Sequence, residues 1–159
     1  MNVLVFDTES NGLLDEATEV WCAVTKVNEV VTQYILDDTR RFIDTLSNLG
    51  DDTIICAHNL IEHDLPLLEK IYGYRHEGRV LDTLVMSRLL QPERVGRHGL
   101  GAWGERFGRS KPAHEDWSFY NPEMLHRCTE DVEINSMVYT HLMKEAEMDE
   151  EELAQLPSY

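Results

Sequence analysis

The spacing of apolar positions changes period along the chain and divides it into strands and helices. Residues 2–8 are apolar and β-branched and end at a polar turn over 9–12, which predicts a buried strand. Residues 19–26 and 30–36 read as two further strands, joined as a hairpin through Asn28. Asp38 is placed to cap a helix reaching about residue 49, with Phe42, Ile43, Leu46 and Leu49 on one face and Gly50 after it. A short apolar strand at 53–57 leads through His58 and Asn59 into a helix over 60–72, which Gly73 ends. Residues 80–83 form a short strand running into a helix at 84–90 that Pro92 terminates. A short helix at 99–107 and a polar loop at 108–121 follow. Pro122 suits the first position of a long helix to about residue 148, with Leu125, Cys128, Val132, Ile134, Val138 and Leu142 on its apolar face. Five strands, three of them consecutive and two alternating with helices, predict an α/β domain with a mixed sheet flanked by helices.

At 159 residues the chain fits one domain, and a domain of that size buries about 68–70% of its unfolded surface. The domain spans 1–148, and 149–159 reads as an acidic, flexible tail, because the stretch 145–152 holds six acids. No apolar run approaches the roughly 20 residues of a membrane span, and the N-terminus lacks the pattern of a signal peptide. Cys22, Cys56 and Cys128 are scattered and odd in number, which reads as reduced core thiols in the cytoplasm.

The net charge of −16 opposes nucleic-acid binding at first sight, since phosphate contacts require Lys and Arg. Its distribution is uneven. The segment 75–111 has eight basic and four acidic residues, leaving the remainder at −20. Acids gathered in a metal site would also have their local sign inverted by bound cations.

Three acidic motifs stand at predicted element ends. Asp7 and Glu9 close the first strand and fall on one side of it. Asp64 follows His58 and Asn59 at the start of a helix. Asp131 lies on the long helix, five residues after His126 and hence about 140° around the axis from it. His126 and Asp131 can address one site only if the helix end faces it or its first turn is irregular. Each motif alone has an ordinary explanation as a solvated turn, a first-turn acid or an amphipathic surface residue. Their co-occurrence in this order carries the signal.

In these motifs the sequence resembles the DEDD (DnaQ-like) 3′→5′ exonuclease superfamily, whose fold is ribonuclease H-like with a five-stranded sheet. Asp7 and Glu9 match its Asp-x-Glu motif, Asn59 and Asp64 its second motif, and Asp131 its third. That third motif carries either a Tyr or a His ahead of the Asp. This chain has Arg127 at the Tyr position and His126 at the His position, so the motif is of the His type.

Within the superfamily the likeness extends over nearly the whole chain for the N-terminal proofreading exonuclease domain of family A DNA polymerases from short-tailed bacteriophages. The stretches that carry it are 81–89, 98–104 and 117–131. Those domains usually have the Tyr variant, and a polymerase needs several hundred further residues. The chain therefore either acts alone or belongs to something larger.

The resemblance implies two divalent ions, Mg²⁺ or Mn²⁺, on Asp7, Glu9, Asp64 and Asp131. It also implies His126 as the proton acceptor and Thr8, Leu13 and Asn59 as substrate contacts. Turn packing is the alternative for Leu13, and helix capping for Asn59. The implied partners are single-stranded DNA or RNA 3′ ends, with a DNA polymerase or replication protein as a protein partner and no membrane.

His58, His63 and Cys56 lack the convergent set a zinc site needs and read as local packing and hydrogen-bonding groups. His98, Leu100 and Trp103 read as structural. An RNA-trimming enzyme and a scaffold whose catalysis has lapsed are the competing functions. The presence of all four acids argues against the second.

Overall fold

The computed structural model describes residues 2–110 and 112–155. Its elements are β1 (Asn2–Ser10), β2 (Val20–Val27), β3 (Val30–Ile35), α1 (Thr39–Ser47), β4 (Thr53–Ala57), α2 (Leu65–Tyr72), β5 (Val80–Asp82), α3 (Thr83–Leu90), α4 (Leu100–Arg106), α5 (Pro122–Glu145) and α6 (Glu150–Gln155). The sheet order is β3-β2-β1-β4-β5. The first three strands run antiparallel, and β1, β4 and β5 run parallel. The five expected strands and the mixed sheet are present. Among the described residues no helix is long and apolar enough to cross a membrane.

Alternation along β1 divides the core. Leu4 and Phe6, with Ala23, Ile55 and Ala57, pack on one face against Phe42 and Leu46 of α1 and Leu68 of α2. Val5, Cys22, Val24 and Cys56 pack on the other face against Met124, Cys128 and Val132 of α5. The hairpin between β2 and β3 turns at Asn28 and Glu29, both in the left-handed region that such tight turns demand. Gly73 ends α2 with φ 67°, as its sequence position predicts. Asn121 caps α5 by accepting a hydrogen bond from the Met124 N–H at 2.9 Å, ahead of Pro122 at the first turn.

Three elements differ from expectation. Asp38 stands at the N-cap position of α1 as expected, but its side chain makes no capping bond and it closes a 3₁₀ turn over Leu36–Asp38. The expected continuous helix from 60 begins as a π-helical turn over Leu60–Asp64. Leu65 N–H reaches back to the Leu60 carbonyl, and Pro66 has no N–H with which to restore the tighter ladder. The expected frayed acidic tail instead contains α6, whose Leu153 (6% exposed) packs with Ile54 and Met143. One apolar side chain suffices to dock this short helix; residues 156–159 lie outside the described residues.

Asp82 ties the second motif to the sheet. Buried at 3% exposure, its carboxylate accepts from the backbone N–H groups of Leu84 (3.0 Å) and Val85 (3.4 Å), capping α3. It also accepts from Asn59 (2.9 Å) and Ile61 (3.0 Å) at the start of the π turn. One side chain thus fixes two segments that leave the sheet at the same edge.

The basic segment is largely taken up internally. Arg94 makes a two-pronged pair with Glu145 at 2.9 Å on both arms, and Arg109 Nη2 donates to both Glu130 oxygens at 3.0 and 2.9 Å. Arg75 pairs with Glu69, and Arg106 lies over Trp103 while donating to loop carbonyls.

Replacing Asp82 by Ala leaves several backbone donors without an acceptor and should lower unfolding free energy by about 3 kcal/mol, read by urea denaturation. Glu145→Ala should also remove about 3 kcal/mol, because Arg94 is left buried without its counter-charge. The Arg94 hydrogen bonds hold the Glu145 carboxyl below the usual glutamate range. Its stabilising contribution is therefore present above the ordinary glutamate pKa and disappears as pH falls through the lower folded value. Denaturation followed from neutral pH downward should show that acid loss in the native chain and not in Glu145→Ala.

Candidate active site

The α5-facing stripe of β1 changes from Val3 and Val5 to Asp7 and Glu9 as the strand nears its carboxyl end. Asp7 is half-buried and Glu9 buried. One ligand atom from each, together with the Cys128 thiol, lies within 4.8 Å of the others. Cys128 Sγ donates to the Asp7 carbonyl at 3.4 Å, which seats α5 directly against the motif. Burial pushes the Cys128 thiol well above its usual range, so it stands there protonated. A register shift between Glu9 and Ser10 marks where β1 leaves its regular pairing with β2.

Asp64 is joined to Thr8, the residue between Asp7 and Glu9, and stands outside the close Asp7–Glu9–Cys128 group. Only 2% exposed, it accepts a hydrogen bond from Thr8 Oγ1 at 3.1 Å. Burial raises its carboxyl pKa, and the neighbouring His63 and the bond from Thr8 oppose that rise. His63 Nδ1 is 3.9 Å from Asp64 Oδ1. The Asp64 carboxylate beside it raises the imidazole pKa, and the field of Glu9 adds to it, so the one ring senses the first and second motifs together. Asn59 opens the π turn at φ 70° without a side-chain capping bond, and its backbone N–H is held by Asp82. The capping explanation of Asn59 is therefore not the one the fold uses.

On α5, Asp131 is buried one turn beyond Cys128. Arg127 lies about 40° around the helix from Asp131, and His126 about 140°. The side chains follow that arithmetic. His126 is exposed and makes no hydrogen bond or ion pair among the described residues. Arg127 Nε lies 3.8 Å from Glu9 Oε1, Nη1 donates to the Pro112 carbonyl at 3.0 Å, and the guanidinium lies over Trp117 with its carbon 5.4 Å from the ring centroid. The helix stays regular through this turn, so the irregularity His126 needed in order to share a site with Asp131 is absent. One turn further, Asn135 accepts from Thr83 Oγ1 at 2.6 Å, and Thr83 also bonds His58 Nδ1 at 2.9 Å. That network joins α5 to the ends of β4 and β5.

Leu13 is 79% exposed in the loop after β1, which excludes turn packing as its explanation. His98 bonds Ser87 and the Pro92 carbonyl, a structural role as expected. Two contributors were not singled out as site residues from the sequence: His63, which adjoins Asp64, and Asp82, which ends β5 where α3 begins. Arg127, which the sequence offers as the rival to His126 at the third motif, stands four residues before Asp131, the helical spacing that places two side chains on one face. The donors collected at this edge are carboxylate oxygens beside a protonated thiol, a hard set that suits Mg²⁺ or Mn²⁺ better than zinc. Buried carboxylates at such spacing repel one another strongly unless a cation is shared.

No protein-family model matches the sequence. The DNA-directed DNA polymerase of Escherichia phage T7 is 26% identical over 189 aligned positions, covering 90% of this chain and 27% of that protein. The enzyme of Enterobacteria phage T3 gives the same identity and coverage over 188 positions. The chain thus spans about a quarter of the length of these curated relatives. Among solved structures, Brucella melitensis NrnC bound to pGG superposes with a TM-score of 0.68 at 18% identity, covering 91% of this chain and 73% of NrnC. Exonuclease X in complex with 5′ overhanging duplex DNA gives 0.62 at 15%, covering 96% and 97%. Escherichia coli RNase D, an exoribonuclease, gives 0.67 at 14%, covering 91% and 40%. The sheet order is the ribonuclease H-like one that the motifs imply. These solved structures share the fold of this chain, and the likeness to the phage polymerases runs over 90% of it.

Proposed function

We propose that the chain is a metal-dependent 3′→5′ exonuclease that works in the cytoplasm, shortens single-stranded DNA from its 3′ end and releases nucleoside 5′-monophosphates. The observation that carries this reading is the buried meeting of Asp7 and Glu9 against α5, with Asp64 hydrogen-bonded to the intervening Thr8. Asp7, Glu9, Asp64 and Asp131 would hold two divalent cations, Mg²⁺ or Mn²⁺. When bound, such a pair stabilises the attacking and leaving oxygens of an in-line phosphodiester displacement.

The chain's own residues shape the rest. Thr8 fixes the Asp64 carboxylate, and Asp82 fixes the turn that delivers it. Leu13 offers an exposed apolar surface on which a terminal base can pack, and Asn59 stands beside Asp64 on the same turn to meet the terminal nucleotide. The likeness to phage polymerases favours DNA as substrate and a DNA polymerase or replication protein as partner.

A second reading, an exoribonuclease acting on short RNA, is favoured by the fold's likeness to RNase D and to NrnC bound to pGG. Discrimination would rest on contacts to the 2′-OH. Purified protein incubated with 3′- and 5′-labelled single strands of DNA and RNA, in Mg²⁺, Mn²⁺ or EDTA, decides between them. Stepwise loss from the 3′ end that EDTA abolishes is the expected result; absence of cleavage of either polymer in every metal would sink the reading.

Asp7→Asn should lower turnover by about 1,000-fold or more, since it removes a carboxylate shared by the metal pair. The variant should melt at or above the temperature of the native chain without metal, because a source of repulsion is gone. Mn²⁺ at about 100 times its Kd should stabilise the native chain by about 2.7 kcal/mol, and the variant by less. Scanning calorimetry with and without Mn²⁺ measures both.

A further inference from the structure

We propose that Arg127 is the cation that orients the substrate phosphate in this site, donating from its free edge to a non-bridging oxygen of the phosphodiester being cut. It would occupy the place where the third motif leads one to expect a proton acceptor. This rests on the exonuclease reading above and extends it.

Three observations converge. First, the side chain is built in: Nη1 is tied to the Pro112 carbonyl, and the guanidinium lies on the Trp117 ring, itself packed in the core cluster under α5. Trp21 Nε1 in turn bonds the Trp117 carbonyl at 2.8 Å and holds that loop against β2. Second, the guanidinium is aimed at the carboxylates: Nε is buried without a hydrogen bond, 3.8 Å from Glu9 Oε1. Third, it is incompletely used. Nη2 makes no hydrogen bond among the described residues, and the side chain keeps 24% exposure. A planar fork anchored at one corner, with another corner open beside the carboxylates, suits a phosphate oxygen.

The surroundings strengthen the case. The protein carries −16 overall, and three of the eight cations of its basic segment, Arg75, Arg94 and Arg109, are paired with glutamates of the fold. Arg109, close by on the loop after α4, is engaged by both oxygens of Glu130. Arg127 is the arginine that the described structure places against the Asp7–Glu9 cluster, beside any bound cation. Arginine stays protonated at any accessible pH, so Arg127 stabilises charge and does not accept a proton. Its charge also opposes that of metal at Glu9, which separates its two effects: losing it should harm turnover and leave metal binding intact or tighter.

The experiment compares native chain, Arg127→Met, Arg127→Lys and His126→Ala. Met keeps the apolar stem on Trp117, and circular dichroism checks that the fold survives. Arg127→Met should lower kcat by about 100- to 1,000-fold, with Mn²⁺ affinity by calorimetry equal to or tighter than native. Arg127→Lys should recover part of the rate. His126→Ala should stay within about threefold of native and keep its pH–rate profile. In an Asp7→Asn background, which holds a strand without cutting it, Arg127→Met should weaken binding of a labelled trinucleotide about tenfold.

Near-native turnover of Arg127→Met overturns the proposal. So does a crippled His126→Ala that has lost an imidazole-like pH limb, or loss of Mn²⁺ binding together with rate in Arg127→Met. If the native chain cuts nothing yet Arg127→Met still weakens trinucleotide binding, the exonuclease reading falls and the phosphate contact stands.

Discussion

The carboxylate of Asp82 accepts hydrogen bonds from four backbone N–H groups that belong to two different segments. The acidic edge of the molecule is organised around it. Two of those donors begin α3, and two begin the π turn that ends in Asp64. Because β4 and β5 run parallel, both segments emerge at the same edge, and one buried acid can bind them together. A charge this deep is tolerable only when its lone pairs are saturated, and here they are. Asp64, equally buried, then takes its own hydrogen bond from Thr8 and meets the first motif across β1. The rigid element is thus a carboxylate that does no chemistry, and it supports one assigned to do so.

The same acids act under opposite electrostatic conditions. Asp82 and Glu145 are satisfied by protein donors, backbone in one case and Arg94 in the other. Asp7 and Glu9 gather beside the Cys128 thiol, and Asp64 is tied through Thr8 to the strand between them, with His63 next to it. Arg127 approaches Glu9 at ion-pair distance without closing a hydrogen bond. Carboxylates brought this close favour a shared cation, whose charge would invert the local sign. Arg94, Arg106 and Arg109 meanwhile serve contacts within the fold itself.

Much of this was legible in the residues. The five strands, the Asn28 hairpin, the Gly73 stop and the start of α5 follow from local rules of periodicity and capping, and the structure keeps them. Asp7 and Glu9 share a side because a strand alternates. What failed to show was set by distant partners. The π turn depends on Asp82, more than twenty residues away, as well as on Pro66. Leu153 counts as a tail residue until Ile54 and Met143 are brought beneath it. Arg94 looks like phosphate-binding charge until Glu145, 51 positions on, claims it. Counting positions selects His126, whereas the turn of an ordinary helix turns Arg127 toward Glu9 and leaves His126 in solvent.

All three thiols are buried and reduced, and Cys128 lies in the seam between α5 and β1, bonded to the carbonyl of Asp7. A soluble alkylating reagent cannot reach that sulfur while the seam is closed, and the raised pKa keeps it unreactive even to small probes. Its modification rate is therefore a clock for the separation of the long helix from the first strand, the motion that would dismantle the acidic cluster. Cys22 and Cys56 sit on the same side of the sheet, facing the same helix. The chain carries three internal reporters of how often its site comes apart, needing no added label and no engineered position.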